Sequence, residues 1–307
     1  MYDLEGKLVV AVASSALFDL TESDKVFREQ GEEAYRAHQR EREDVQLPEG
    51  VAFGFIRRLL SLNVSESDHP VEVVLLSRND PDTGARVFRS IAARGLGIER
   101  AVFTKGRPPW RYVESFGASL FLSAHPKDVR EAVDLGVPAG QVLAGGGYPD
   151  DPDDRGLRVA FDFDGVLADD SAEKVYKEGG LDAFRRSERA MEGTPLNPGP
   201  LLRLFRELGR IQAIETARRQ IDPSYEPLLR IAIATARGAP AHQRVVESLR
   251  SWGLGVDEAF FMGGVDKGRV LGTFRPHLFF DDQLAHAQPT SQLLPSVHVP
   301  FGIANRV

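Results

Sequence analysis

Apolar residues along this chain gather in short, nearly unbroken runs, separated by longer stretches in which they recur every three or four positions. The first pattern is that of strands covered on both faces of a parallel sheet, the second that of amphipathic helices. Lys7 to Ala13 and Val71 to Leu76 are runs of the first kind, and shorter strands are expected at 101–103, 119–122 and 141–143. Thr21 through Arg42 is polar with spaced Val26, Phe27, Ala34 and Tyr35, which predicts a charged helix opened by Thr21 or Ser23. Pro48-Glu-Gly50 punctuates before a second helix over Phe53 to Leu62. The second half repeats this order. It predicts a strand at 157–162, a helix at about 172–189, Pro198-Gly199 punctuation, a helix at 200–212 and a strand at 229–234. A helix at 239–252, strand 259–261, helix 266–273, strand 277–280 and a last strand near 297–299 follow. Strands alternating with helices in this way predict a doubly wound α/β architecture.

The repetition extends to single residues. Lys25-Val26 falls on Lys174-Val175, Gly31 on Gly180, Ala34 on Ala183 and Gly50 on Gly199, each pair 149 apart. Beyond extra residues between 210 and 228 the offset becomes 158, placing Gly95-Leu-Gly97 on Gly253-Leu-Gly255, Arg86 on Arg244, Phe103 on Phe261 and Phe121 on Phe279. Apolar strands of any two α/β units can align by chance. Identical glycines outside strands at a constant offset argue instead for internal duplication, hence two tandem doubly wound sheets. Ala144-Gly-Gly-Gly147 and the acidic Tyr148-Pro-Asp-Asp-Pro-Asp-Asp154 read as the linker, since no Lys-Ser/Thr follows the glycines to make a phosphate loop. The expected units are therefore residues 1–150 and 151–307.

Composition narrows the function. A hydrophobic fraction of 42% and a charged fraction of 27% are those of a soluble globular protein, long enough here for two units with a core each. A net charge of -7 argues against a nucleic-acid partner but suits a metal enzyme, in which a bound cation reverses the local sign. With no cysteine, disulfides, thiol catalysis and Cys-ligated zinc are excluded. No apolar run reaches the length of a membrane span, and Met1 leads into Leu8-Val-Val-Ala-Val12 without a signal-peptide pattern, so no membrane association and a cytoplasmic location are expected.

The chemistry concentrates at the ends of the second-half strands. Val159-Ala-Phe161 is followed by Asp162 and Asp164, and Gly165 then permits a tight turn. Two desolvated acids at a strand end repel unless a cation or partner offsets them, which makes the pair a natural place for Mg²⁺ and a phosphoryl group. Thr235 ends the strand Arg230-Ile-Ala-Ile-Ala-Thr235 and can donate to a phosphate oxygen. Lys267 follows Gly263-Gly264 at a helix start, and Asp281-Asp282 ends Leu278-Phe-Phe280 as a second acidic pair. Singly these residues read as a helix cap, a surface charge and a turn. In this order, on strand ends that share one edge of a parallel sheet, they read as a phosphoryl-transfer site. The same offsets put Ala13, Ser15, Ser77, Pro109, Ser123 and Ala124 at the equivalent places of the first half, which would make that half catalytically silent.

The constellation resembles the haloacid dehalogenase superfamily of aspartyl-phosphate phosphatases, whose motifs are Asp-x-Asp, Ser/Thr, Lys and an acidic pair. The similarity is closer to the cytosolic 5′-nucleotidases of type I and runs along nearly the whole chain. It is carried by Leu75-Leu-Ser-Arg-Asn79 with Pro81-Asp-Thr-Gly84, Thr235-Ala-Arg237, Arg250-Ser-Trp-Gly253, Phe279-Phe-Asp-Asp-Gln283 and His298-Val-Pro-Phe-Gly302. One departure stands out: where that family reads Phe-Asp-Gly-Asp-Ala-Val, this chain has Phe161-Asp-Phe-Asp-Gly-Val166. Both acids survive, while Phe163 changes the wall beside them.

What the resemblance implies is Mg²⁺-dependent hydrolysis of nucleoside 5′-monophosphates, with AMP as first candidate, on two haloacid dehalogenase-like units. Asp162 is the expected nucleophile and Asp164 the acid that protonates the leaving oxygen and then activates water. Thr235 and Lys267 are expected to stabilise the transferring oxygens. Asp162, Asp164 (through its carbonyl), Asp281 and Asp282 are the expected metal ligands. His38, His69, His125, His242, His277, His286 and His298 lack ligand spacing and are given no role. The stretch 168–228 is expected to form a helical cap, with Tyr176 and Phe184 as base-stacking or core residues. Ser77-Arg78-Asn79-Asp80 reads first as a solvated turn, with a vestigial or effector site as alternatives. A phosphatase for another small phosphoester and a nucleotide-binding regulatory protein are the rival functions, and a homo-oligomer is left open.

Overall fold

The structure is a computed structural model that describes residues 3–305 apart from 66–67, 147–150 and 152. The first half runs β1 (Leu8–Val12), α1 (Ser14–Leu17), α2 (Thr21–Glu41), α3 (Phe53–Leu60), β2 (Val71–Ser77), α4 (Ala85–Ala93), β3 (Arg100–Phe103), β4 (Leu120–Ser123), α5 (Pro126–Asp134) and β5 (Ala139–Val142). The second runs β6 (Leu157–Phe161), α6 (Ser171–Ala190), α7 (Leu202–Ile221), β7 (Leu229–Thr235), α8 (His242–Trp252), β8 (Glu258–Phe261), α9 (Lys267–Phe274), β9 (Leu278–Asp281), α10 (Leu284–Ser291) and β10 (Ser296–His298). Val, Ile, Leu and Ala at most positions of β1, β2 and β7 suit strands buried on both faces, and β1 and β2 are buried throughout.

Among the described residues ten strands form one sheet, in the order β3-β2-β1-β4-β5-β10-β9-β6-β7-β8. The expectation of two sheets is thereby corrected. The last strand of each half pairs antiparallel with the other, Val142 opposite Val297, so both edges are closed by joining them. The order on one side of this junction is that of the other side reversed. Registers agree too: Leu8 faces Val71 as Leu157 faces Leu229, and Val10 faces Leu120 as Val159 faces Leu278. These are the sequence offsets of 149 and 158, recovered as strand pairing.

Helices cover both faces of the sheet. On one face a single core draws on both halves, because α3 packs against β6 and α7 against β1. The other face carries two separate cores, one per half. Units with wholly independent cores are therefore not what forms. Arg58 on α3 also reaches the linker, donating to Asp151 O at 2.7 Å and Gly156 O at 3.0 Å. Gly147, Tyr148, Pro149, Asp150 and Pro152 lie outside the described residues, and with them the expected boundary at 150.

The expected cap divides. α7 continues to Ile221, beyond the expected end at 212, and lies on the sheet with Leu204, Phe205, Leu208 and Ile211 buried. Its Phe205 ring meets Phe161 edge-on at 5.4 Å. Only α6 stands over the cleft described below. Gly180 breaks this helix with φ 70 and ψ −172, as Gly31 breaks α2 with φ 84 and ψ −175. A positive φ of this kind is open to glycine and strained for other residues, which explains why glycine occupies both places.

Candidate active site

Parallel strands bring the ends of β6, β7 and β9 to one edge of the sheet. Asp162 follows β6 directly and its N–H donates to Phe280 O at 2.7 Å, tying it to the end of β9 where Asp281 and Asp282 stand. Gly165 turns the chain back with φ 72, and a Cβ there would collide with the Asp282 carboxylate. The turn therefore requires glycine for its conformation and for the close approach. Lys267 is the first residue of α9, whose N-cap Asp266 accepts from Gly268 N at 2.7 Å.

Lys267 Nζ lies 2.8 Å from Asp162 Oδ2 and 2.8 Å from Asp281 Oδ2, with all three side chains buried. Burial alone would push the ammonium toward its neutral form. The charges of Asp162 and Asp281 outweigh it and hold the Lys267 pKa above the ordinary lysine value. Burial, opposed by Lys267 and aided by Asp281, pushes Asp162 up to about 7. Burial, together with the charges of Asp162 and Asp281, pushes Asp282 up to about 9.

Asp162, Asp281 and Asp282 each offer an oxygen within 4.8 Å of the others, and they are the only such group among the described residues. Asp282 Oδ1 is buried with no hydrogen-bond partner among the described residues. Three buried carboxylates against one ammonium, with an orphaned oxygen, make a donor set suited to a hard divalent cation. The Asp164 carboxylate is not in that group. It turns toward Arg237, whose Nε and Nη2 donate to it at 2.7 and 2.8 Å.

Asp162, Asp164, Arg237 and Lys267 line a cleft of about 750 Å³. Thr235 lies on its wall beside Asp162, Asp164 and Lys267, and accepts from Arg237 N through Oγ1 at 3.2 Å. All six sequence-derived site residues thus meet at one edge. α6 contributes Glu173, Tyr176, Phe184 and Arg185 to the wall facing them. The Tyr176 and Phe184 rings meet edge-on at 6.3 Å and both line the cleft, Tyr176 48% exposed and Phe184 half-buried against the core.

Sequence reasoning missed Arg237 as a site residue, although its place two residues beyond Thr235, at the end of β7, was a usable signal. His286, given no role from sequence, lines the cleft, and His298 lies beneath it, its ring nitrogen 3.1 Å from Asp282 O. Ser77-Arg78-Asn79-Asp80 is not a freely solvated turn. Ser77 and Asp80 are buried, Arg78 donates through Nε to Asp128 at 2.8 Å, and Tyr35 donates to Asn79 Oδ1 at 3.0 Å. Ser77, at the place matching Thr235, shares a 3.0 Å hydrogen bond with Ser14, at the place matching Phe163.

A sequence model of the 5′-nucleotidase family matches residues 1–306. The human protein named cytosolic 5′-nucleotidase 1B is 35% identical over 298 residues, which cover 93% of this chain and 47% of that protein. The chain thus spans about half the length of that relative. Among solved structures, the HAD domain of the effector protein Lem4 from Legionella pneumophila aligns with a TM-score of 0.28 and 13% identity, over 47% of this chain and 85% of that one. Histidinol dehydrogenase from Elizabethkingia anophelis aligns with a TM-score of 0.22 and 7% identity, over 94% of this chain and 79% of that one. At such scores neither structure bears on the fold.

Proposed function

The chain belongs to the 5′-nucleotidase family, and from that premise we propose that it hydrolyses nucleoside 5′-monophosphates to nucleoside and phosphate. AMP is the first candidate, on resemblance alone. The observation that carries the reading is the Lys267 ammonium bridging Asp162 and Asp281 at the floor of a nucleotide-sized cleft.

Asp162 attacks phosphorus in line, forming an aspartyl phosphate as the nucleoside O5′ leaves. Asp164 gives that oxygen its proton and then takes one from the water that hydrolyses the aspartyl phosphate. Lys267 and Thr235 hold the transferring oxygens, donating hydrogen bonds where negative charge builds up. Asp162, Asp281 and Asp282, with the Asp164 carbonyl, would hold Mg²⁺, which when bound supplies positive charge between carboxylates and phosphate. Tyr176 and Phe184 offer aromatic faces to the base.

The first half is read as a silent copy of the second. Supporting this, the buried Glu72 pairs with Arg100 on β2 and β3, while Arg230 pairs with Glu258 at the matching places of β7 and β8, with the charges exchanged. Residues 1–150 then serve as partner sheet, residues 151–307 as catalytic unit, and α6 as the cap. A cytoplasmic location belongs to the same reading and rests on the family resemblance. Among the described residues no helix is long and apolar enough to cross a membrane.

The test is phosphate release over a panel of nucleoside monophosphates and sugar phosphates, with and without Mg²⁺. Release from nucleotides that depends on Mg²⁺ is the expected result. Preference for a sugar phosphate would move the chain to another small-phosphoester phosphatase, and no release from any would refute the reading.

A further inference from the structure

Arg237 has no part in the reaction set out above, yet its guanidinium is held on every side. Nε and Nη2 grip Asp164, while Nη1 pairs with Glu188 of α6 and reaches Ala241 O at 3.4 Å. The rings of Phe184 and Phe163 flank it at 5.4 and 6.0 Å. Phe163, standing where the family pattern has glycine, is itself stacked on Trp252 at 5.9 Å. The second oxygen of Glu188 accepts from Arg244 Nη1 at 2.9 Å, and Arg244 Nε donates to Thr194 O at 2.9 Å. The Arg237 and Glu188 side chains are each 2% exposed.

Such a chain of buried charges is a poor way to stabilise a core, because desolvation offsets most of the attraction. The first half shows which part of it the fold requires. At the matching places stand Ser15, Asn79, Gln39 and Arg86. Arg86 Nη1 donates to Gln39 Oε1 at 3.2 Å and its Nε to Val45 O at 2.9 Å, so the anchor of Arg244 is present there in neutral form. The charges at 188 and 237 occur only in the half that has a carboxylate at 164.

Resting on the phosphoryl-transfer reading, we propose that Arg237 is a positioning residue. Its two-pronged grip fixes the plane of the Asp164 carboxylate for proton transfer, and Glu188 anchors that grip to the helix over the cleft. Lysine keeps the charge but loses the fork, so it cannot substitute fully.

The test uses the full chain with Mg²⁺ and compares Arg237→Lys and Glu188→Gln with wild type, on AMP and on p-nitrophenyl phosphate. The first chemical step is read by pre-steady-state product release. A nitrophenolate leaves without needing a proton, so loss of Asp164 positioning should spare it. Arg237→Lys should slow the AMP step about a hundredfold and the nitrophenyl step only a few-fold, with KM nearly unchanged. Glu188→Gln should shift the same ratio in the same direction by less. Equal slowing on both substrates would reveal a merely structural role, and wild-type rates on AMP would deny any role; either overturns the proposal. Circular dichroism checks folding, and if Arg237→Lys does not fold, Glu188→Gln decides by the same ratio. A wild-type chain that releases product from neither substrate would instead refute the functional reading, and this proposal with it.

Discussion

Lys267 Nζ stands 2.8 Å from Asp162 Oδ2, a buried ammonium resting on the carboxylate assigned to attack phosphorus. It is also the countercharge of Asp281. Lys267→Met should therefore act on both stability and rate. Leaving buried carboxylates without their partner should cost about 3–5 kcal/mol in urea denaturation with a chelator present. Turnover should fall by about 10²–10³ as the transferring oxygens lose a donor. A variant as stable and active as wild type would remove Lys267 from the site.

The acids beside it make stability depend on pH and metal. Burial raises Asp162 to about 7 and Asp282 to about 9, so the folded chain holds protons there more tightly than the unfolded chain does. Stability from these groups is fully present below the ordinary carboxylate range and is lost as pH rises through about 7 and then about 9. Without metal, Tm should fall between pH 6 and pH 9, and Asp282→Asn should flatten that fall. Mg²⁺ displaces the protons, so it should raise Tm more at pH 9 than at pH 6. A larger Mg²⁺ effect at pH 6 would contradict the assignment.

Gly165 and Gly180 both have positive φ but differ in surroundings. A Cβ at Gly180 meets nothing within 4 Å, whereas one at Gly165 collides with Asp282. Gly180→Ala, at φ 70 and ψ −172, should cost only the backbone strain, about 1–3 kcal/mol. Gly165→Ala should add a displaced Asp282 and weaken Mg²⁺ binding in calorimetry. Equal Mg²⁺ affinity in the two variants would show that Asp282 takes no part in holding the cation.

The serines of the first half should tolerate replacement. Ser15→Ala and Ser77→Ala remove hydroxyls that bond within the half, to Ala124 N and Ser14, and touch no acid of the cluster. Turnover should stay near wild type, and calorimetry should find one Mg²⁺ per chain. A second equivalent that vanishes in Ser77→Ala would make the first half a metal site after all.

The inner strands were legible because their apolar runs are buried on both faces, and the six site residues because the acids and Thr235 sit at the ends of such runs and Lys267 opens a helix after Gly263-Gly264. Arg237 and Glu188 were harder. Arg237 stands within Thr235-Ala-Arg237, but nothing in that motif names its partner, and Glu188 lies on α6, which only folding brings over the cleft. The joining of the two sheets rests on the short pairing of the strands that hold Val142 and His298, and three residues of β10 carry no pattern that announces an antiparallel partner. The extension of α7 to Ile221 was hidden for a related reason: Ile221 is 86% exposed, so the end of that helix has no apolar stripe to follow.

Asp162→Asn gives the most direct measurement, since it removes the attacking oxygen's charge and keeps the side-chain volume. With AMP and Mg²⁺, wild type should release phosphate, and the purified variant, with an unchanged circular dichroism spectrum, should be at least about a thousandfold slower. Release by Asp162→Asn at a near wild-type rate would contradict an aspartyl-phosphate mechanism at this residue.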